Sequence, residues 1–395
     1  MASADRLINE AQSALQKLRF AEAGKLYHDA LKIDPHSLEA KVGLGRLELM
    51  RENEEAGLKL LDEVLDSAPH YAEALALKGI NALRKGDYPV AIGFLEDARA
   101  ADPDLEMIYF NLSKAYRKMD QFKKAEVIIR QLLRKRPNDY KAHYEMANIL
   151  SRTGDLRGAI METLESIKIN PLYLKGYLTL GRVYEQAGQG ELVIKLYNEG
   201  LRHNPNALPL REELVRLYSI KADWRSALAH AEEMVQRRGD YADLLGLGKT
   251  QLAMGQFEQA ESTYKRAIEL DANLWQAYYN LGELYMTARL MPEAEEQYNQ
   301  AISRAPAIWV PYNGMGLWLL HQDRAEEARA YFVKALELAP AAPEATLNVA
   351  LTCARLNDKD NAVKFTRAAL KVTRQGDGMY EQAERLLKVL EGIPQ

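Results

Sequence analysis

The run Gly246-Leu247-Gly248-Lys249-Thr250 has the ending of a loop that cradles phosphate with backbone N–H groups and a lysine. That chemistry needs another glycine five residues before Gly248, where Asp243 stands, and a strand feeding the loop. The surrounding pattern places the run in the middle of a helix instead. Arg238-Gly239-Asp240 matches an adhesion tripeptide, but it falls at a turn of a chain that opens polar, with no apolar export segment. The seven histidines (His28, His36, His70, His143, His203, His230 and His321) are scattered. No two of them stand at the i, i+3 or i, i+4 spacing of a helical metal site. Cys353 is the single cysteine, so no intramolecular disulfide is available, and its helical surroundings suit a small buried hydrophobe. No Ser/His/Asp set or paired carboxylates converge. Neither a catalytic residue, a metal nor a cofactor is expected.

What remains is the scaffold that carries these residues. The chain has 395 residues, 27% charged and 47% hydrophobic, with a net charge of −4. That composition is ordinary for a soluble protein, and the small charge says nothing of nucleic acid or membrane. No run approaches the ~18 apolar residues of a membrane span, so membrane insertion is not expected and a cytoplasmic location is. Length alone suggests two or three globular domains. A repeat removes that expectation, because stacked repeats need no single large core.

The prolines reveal such a repeat. Pro35, Pro69, Pro103, Pro137, Pro171 and Pro205 are spaced by 34 residues, as are Pro306 and Pro340, and the interval from Pro205 to Pro306 is one residue short of three periods. Twelve residues before each proline or its equivalent lies a small position: Ala23, Gly57, Ala91, Ala125, Ala159, Val193, Ala227, Ala260, Ala294, Ala328 and Ala362. Twelve further back lies another: Ala11, Gly45, Gly79, Ser113, Ala147, Gly181, Val215, Gly248, Gly282, Gly316 and Ala350. Large apolar residues such as Tyr27, Tyr197, Tyr264, Tyr298 and Phe332 recur between them. Each unit therefore reads as two apolar-striped helices of about 14 residues. Small residues let the pair approach closely, and proline ends the unit because it cannot continue a helix interior. Gly86-Asp87, Gly154-Asp155 and Gly188-Gln189 supply turns inside the units.

These spacings resemble the tetratricopeptide repeat family over about residues 3–374. The clearest unit runs from Trp275 through Tyr278, Leu281, Gly282 and Tyr285 to Ala294, Tyr298, Ala301 and Pro306. The resemblance implies an all-α fold: an α-solenoid, coiled as a right-handed superhelix, of about eleven helical hairpins. The units are 4–37, 38–71, 72–105, 106–139, 140–173, 174–207, 208–240, 241–274, 275–308, 309–342 and 343–376, and an amphipathic capping helix follows over 378–392. Residues 186–243 are the least regular, with Gly239 replacing proline in the shortened seventh unit. A bend within one solenoid is expected there.

In this family the first helices line a concave groove, and the frame identifies the positions that would face it. Units four to seven present Phe110, Asn111, Lys114, Arg117 and Lys118, then Lys141, Tyr144, Asn148 and Arg152, then Lys175 and Arg182, then Arg216. Glu145, Glu185, Glu212 and Glu213 interrupt this basic stripe. Asparagine can donate to and accept from a peptide backbone, and arginine can grip a carboxylate with two bonds. At roughly 10 Å per unit, four units span ~40 Å, enough for about a dozen extended residues. In the last third the equivalent positions read Tyr279, Asn280, Asn313, Leu317, Leu320, Leu347, Asn348 and Leu351, an apolar strip suited to an amphipathic or hydrophobic segment. The set of residues with which chaperone-binding members of the family clamp a carboxylate is not found in register: Lys175 occupies one place, but Thr179 and Glu213 do not fit.

Residues 104–141 hold ten Lys/Arg against five Asp/Glu. Arg134-Lys135-Arg136 ends a helix, where the dipole favours positive charge, so this basic patch does not call for nucleic acid. The resulting expectation is a non-enzymatic adaptor that binds another protein through an acidic extended segment. The alternative is a self-assembling homo-oligomer. Reversing Arg117 and Arg182 to glutamate should abolish binding in the first case.

Overall fold

The computed structural model describes residues 3–392, which are α-helical throughout apart from short joints, with no strand among them. The chain divides into two compact units, Met1–Pro205 and Asn206–Gln395. In the first, hairpins pair α1 (Ala4–Gln16) with α2 (Phe20–Ile33), α3 (Leu38–Met50) with α4 (Glu54–Ser67), and α5 (Ala72–Lys85) with α6 (Tyr88–Ala101). Then follow α7 (Glu106–Lys118) with α8 (Phe122–Lys135), α9 (Tyr140–Thr153) with α10 (Leu156–Ile169), and α11 (Leu174–Gln186) with α12 (Gly190–His203). The second unit holds α13 (Leu208–Ile220) with α14 (Trp224–Arg237), α15 (Tyr241–Ala253) with α16 (Phe257–Leu270), and α17 (Trp275–Thr287) with α18 (Met291–Arg304). It ends with α19 (Trp309–His321) and α20 (Ala325–Leu338), α21 (Pro343–Arg355) and α22 (Lys359–Val372), and the lone α23 (Gly378–Glu391). The phosphate-loop look-alike lies inside α15, so it forms no anion cradle.

Inside every hairpin one residue takes the left-handed backbone conformation. Four of these are glycine (Gly86, Gly154, Gly188 and Gly255); the others are Leu18, Glu52, Asp120, Ala222, Arg289, Asp323 and Asn357. After the glycine turns, Asp87 and Asp155 cap α6 and α10 by accepting from the N–H groups of Val90 and Gly158. Where a proline follows, the chain leaves the second helix in an extended conformation, as at Asp34 before Pro35, because proline disfavours further helix.

The two helices of a hairpin meet through a size-matched pair sixteen residues apart. Glycine on the first helix faces a large side chain on the second: Gly79 with Leu95, Gly181 with Tyr197, Gly248 with Tyr264, Gly282 with Tyr298 and Gly316 with Phe332. At three hairpins with a larger first residue the partner is smaller, as in Ala147 with Thr163, Val215 with Ala231 and Ala350 with Thr366, whereas Ala11 and Ser113 stand sixteen residues before Tyr27 and Ile129. At the glycine pairs the missing Cβ leaves the space that the large partner fills. Thr163 and Thr366 donate their hydroxyls back to Ala159 and Ala362 one turn earlier, so both are satisfied although fully buried.

The joint between α14 and α15 lacks proline and is held by charge. Gly239 turns it at φ 62°. Arg238 donates to Asp243 at 2.9 and 2.6 Å and to Glu212 at 2.8 Å, tying α13, the joint and α15 together. These acids, Asp243 first, hold the Arg238 guanidinium more firmly protonated than usual. At the C-terminus α23 lies on α22 and α21, burying Ala383. Among the described residues no helix is long and apolar enough to cross a membrane.

Candidate functional site

Successive first helices α1, α3, α5, α7, α9 and α11 touch one another, whereas successive second helices make no comparable contact. A stack that is closer on one side curves toward that side, so in the first unit the first helices line the inner face. In the second unit α15, α17 and α19 touch in the same way.

On the inner face of the first unit, Lys114, Lys118, Lys141, Arg152 and Lys175 are exposed. None of the five makes an ion pair among the described residues. Lys141 lies 5.8 Å from the Tyr140 ring and Arg152 lies 5.9 Å from that of Phe122, geometries in which aromatic faces orient a cation. Arg182 donates to the Thr179 hydroxyl at 3.1 Å. Between these cations sits an aromatic cluster in which Tyr173 meets Tyr140 and Tyr144 edge-on at 4.8 and 5.3 Å. Burial, chiefly, pushes the Tyr173 hydroxyl up to about 12, so it stays protonated as a donor. Phe110 is half-buried against the core.

Four residues of the expected stripe are placed differently. Arg117 donates to Glu145 of the next first helix at 2.6 Å, and the same carboxylate accepts from Ser113 at 2.9 Å. Arg117 is thereby committed within the fold, because the opposite charge lies one repeat away on the same face. Asn111 and Asn148 donate to the carbonyls of Met107 and Tyr144 one turn back, so their N–H groups are partly spent on their own helices. Arg216 belongs to the second unit, where it is bonded to Glu213 at 2.8 Å.

The apolar strip of the second unit is corrected more strongly. Asn280 (6% exposed), Asn313 and Leu347 are buried, because their positions face the neighbouring helices rather than the groove. Asn313 accepts from Asn348 at 2.9 Å, which ties α19 to α21. Tyr279, Leu317 and Leu320 are half-buried against a core cluster that also receives Leu390 of α23, and Leu351 packs on a neighbouring one. Tyr298 donates to Glu283 at 2.5 Å, and burial first, then that carboxylate, raises the Tyr298 hydroxyl far above its ordinary value. Asn280, by contrast, keeps a buried side-chain N–H group without a partner among the described residues.

Part of the basic patch at 104–141 is paired in place, along α8 and at its end. Lys135 pairs with Asp104 at 2.7 Å, Arg130 with Glu126 at 2.7 Å, and Arg136 with Glu106. Among the described residues no group of His, Cys, Asp and Glu could hold a metal ion.

The 34-residue register also exposes inner-face residues outside the expected stripe. Arg84 stands 34 residues before Lys118, which itself stands 34 before Arg152. All three end their first helices on the same face. This signal was present in the sequence one repeat upstream of the stripe.

Two sequence profiles, both described as tetratricopeptide repeat, match the chain, one over 53–106, 245–307 and 314–379 and the other over 14–79 and 82–149. The TPR repeat-containing protein YpiA of Bacillus subtilis is 22% identical over 299 residues, covering 72% of this chain and 69% of that protein. Protein CTR9 homolog of Arabidopsis thaliana is 21% identical over 263 residues, or 62% of this chain. The chain spans only 24% of that relative and 18% of Superkiller protein 3 of Saccharomyces cerevisiae. Among solved structures, yeast Tom70 aligns with a TM-score of 0.53 at 15% identity, over 98% of this chain and 96% of that one. A tetratricopeptide repeat protein of Parabacteroides merdae also gives 0.53, at 17% identity over 64% of this chain and 98% of that one. These structural likenesses describe the fold.

Proposed function

Because the chain belongs to the tetratricopeptide repeat family, whose folds are generally protein-interaction scaffolds, we propose that it is a non-catalytic adaptor. Its ligand is an extended acidic segment of another protein, held on the inner face of the first unit. The observation that carries this reading is the run of cations Lys114, Lys118, Lys141, Arg152 and Lys175, exposed and without ion-pair partners among the described residues. Neighbouring charges that could have filled the same face are consumed internally, as Arg117 and Glu145 are. A concave face that keeps unpaired charge of one sign concentrates the opposite charge and speeds its capture.

Arg117 is a poor probe, since its reversal would set a carboxylate against Glu145 and disturb the fold. Lys118→Glu with Arg152→Glu is the cleaner test. Each reversal replaces an attraction of up to about 1 kcal/mol by a similar repulsion, or roughly tenfold in affinity per site. Fluorescence anisotropy with a labelled repeating Asp-Gly-Ser peptide about a dozen residues long should show ~100-fold weaker binding by the double variant. Its circular dichroism should be unchanged. Equal affinity for both proteins would remove the basic stripe from the account.

A further inference from the structure

Between α3 and α5, on the inner face of the first unit, lies a cavity of about 160 Å³. Its walls are apolar, with Met50, Leu77 and Ile80 prominent, and its rim carries Arg46, Arg84 and Asn81. A volume near ~150 Å³ accommodates a benzene-sized group, hence one leucine- or phenylalanine-sized side chain. Met50 is 49% exposed at the mouth, so the opening faces solvent. The floor is fixed, because Leu77 and Asn81 are each 6% exposed and Asn81 donates to Glu54 at 2.8 Å.

The two rim arginines differ. Arg46 pairs with Glu73. Arg84 is oriented by donating to the Leu49 carbonyl at 3.1 Å and to the Asn81 side-chain oxygen at 2.9 Å, and it has no carboxylate partner among the described residues. Guanidinium carries five N–H donors, so donors remain for a ligand while the group itself is already ordered. An ordered, unpaired cation beside an apolar hollow fits a carboxylate next to a large aliphatic group. Lys118 and Arg152 continue the same register at 34-residue intervals. Neighbouring first helices stand roughly 10 Å apart, which is about three residues of extended chain.

We infer that this cavity anchors one large aliphatic side chain of the bound segment. A first acid lies beside the anchor, against Arg84, and further acids follow at about three-residue intervals against Lys118 and Arg152. The inference rests on the acidic-segment reading above and adds to it the residue that sets the register. An acidic stripe alone slides along a basic face; an aliphatic anchor in a hollow beside it fixes one alignment.

The test uses the full chain and two labelled peptides, a repeating Asp-Gly-Ser sequence led by leucine and the same sequence led by glycine. The wild type should bind the leucine peptide about ten- to a hundredfold more tightly, the effect of burying one leucine side chain. Ile80→Glu should bring that preference close to one. Met50→Glu, at the exposed mouth, reads the same loss should Ile80→Glu fail to fold. Equal affinity of the wild type for both peptides would overturn the anchor and leave the acidic-segment reading standing. A leucine preference that survives both substitutions would overturn the assignment of the cavity. Binding of neither peptide would overturn the acidic-segment reading and the anchor with it.

Discussion

Arg238→Ala should destabilise the second unit by about 3–5 kcal/mol, the cost of removing one partner of a buried ion pair. Asp243 is 2% exposed, and its carboxylate takes both of its short side-chain bonds from Arg238. With the guanidinium gone, that charge stays in a place water does not reach. Arg238 itself is about a third exposed, so the loss should fall toward the lower end of the range. Urea unfolding followed by circular dichroism measures it. Arg238→Ala with Asp243→Ala should recover much of the loss, because both halves of the buried pair are then removed. A loss below about 1 kcal/mol for Arg238→Ala would mean that the ion cluster does not hold the proline-free joint.

The second large effect concerns the size-matched pairs. Phe332 is fully buried, and a Cβ built on Gly316 would meet its ring at 2.5 Å. Phe332→Ala should cost about 3–5 kcal/mol, through lost transfer energy and the cavity left between α19 and α20. Gly316→Ala should cost about 1–3 kcal/mol by overpacking. The two changes address the same space, so the double variant should be more stable than the sum of the single losses predicts, by about 1 kcal/mol or more. Because repeats unfold piecewise, hydrogen exchange resolved by segment is the right readout. It should show faster exchange in α19 and α20 while α1 to α6 keep their rates. Strict additivity would deny that the pair shares one volume.

The hairpins were legible because their signals are steric and local. Pro205 must end a helix whatever surrounds it, and Gly282 must face something that no Cβ would allow. The pairing of Gly316 with Phe332, sixteen residues on, was also in the sequence, and it required comparing two positions rather than two repeats of one. What the sequence could not disclose was the use of each charge. Arg117 and Glu145 both stand at groove positions, and only side-chain packing decides that they meet each other rather than a ligand. Asn280 and Asn313 likewise occupy positions that sit at the edge of the groove. Contact of α17 with α19, and the bond that Asn348 of α21 makes to Asn313, turn them inward, and that depends on packing between repeats rather than on spacing within one. The register of Arg84 was legible; the hollow beside it was not, since it arises from Met50 and Ile80 on different repeats.

An acidic segment on the inner face of the first unit would shield the lysines there. The measurement that tests it most directly is lysine acetylation footprinting, with and without the repeating Asp-Gly-Ser peptide, read by mass spectrometry. Lys114, Lys118, Lys141 and Lys175 belong to first helices, while Lys123, Lys124, Lys168 and Lys195 belong to second helices and serve as the internal control. Acetylation of the first group should slow several-fold on peptide addition, with unchanged rates in the second. Protection confined to the second-helix lysines, or none at saturating peptide, would contradict that placement of the segment.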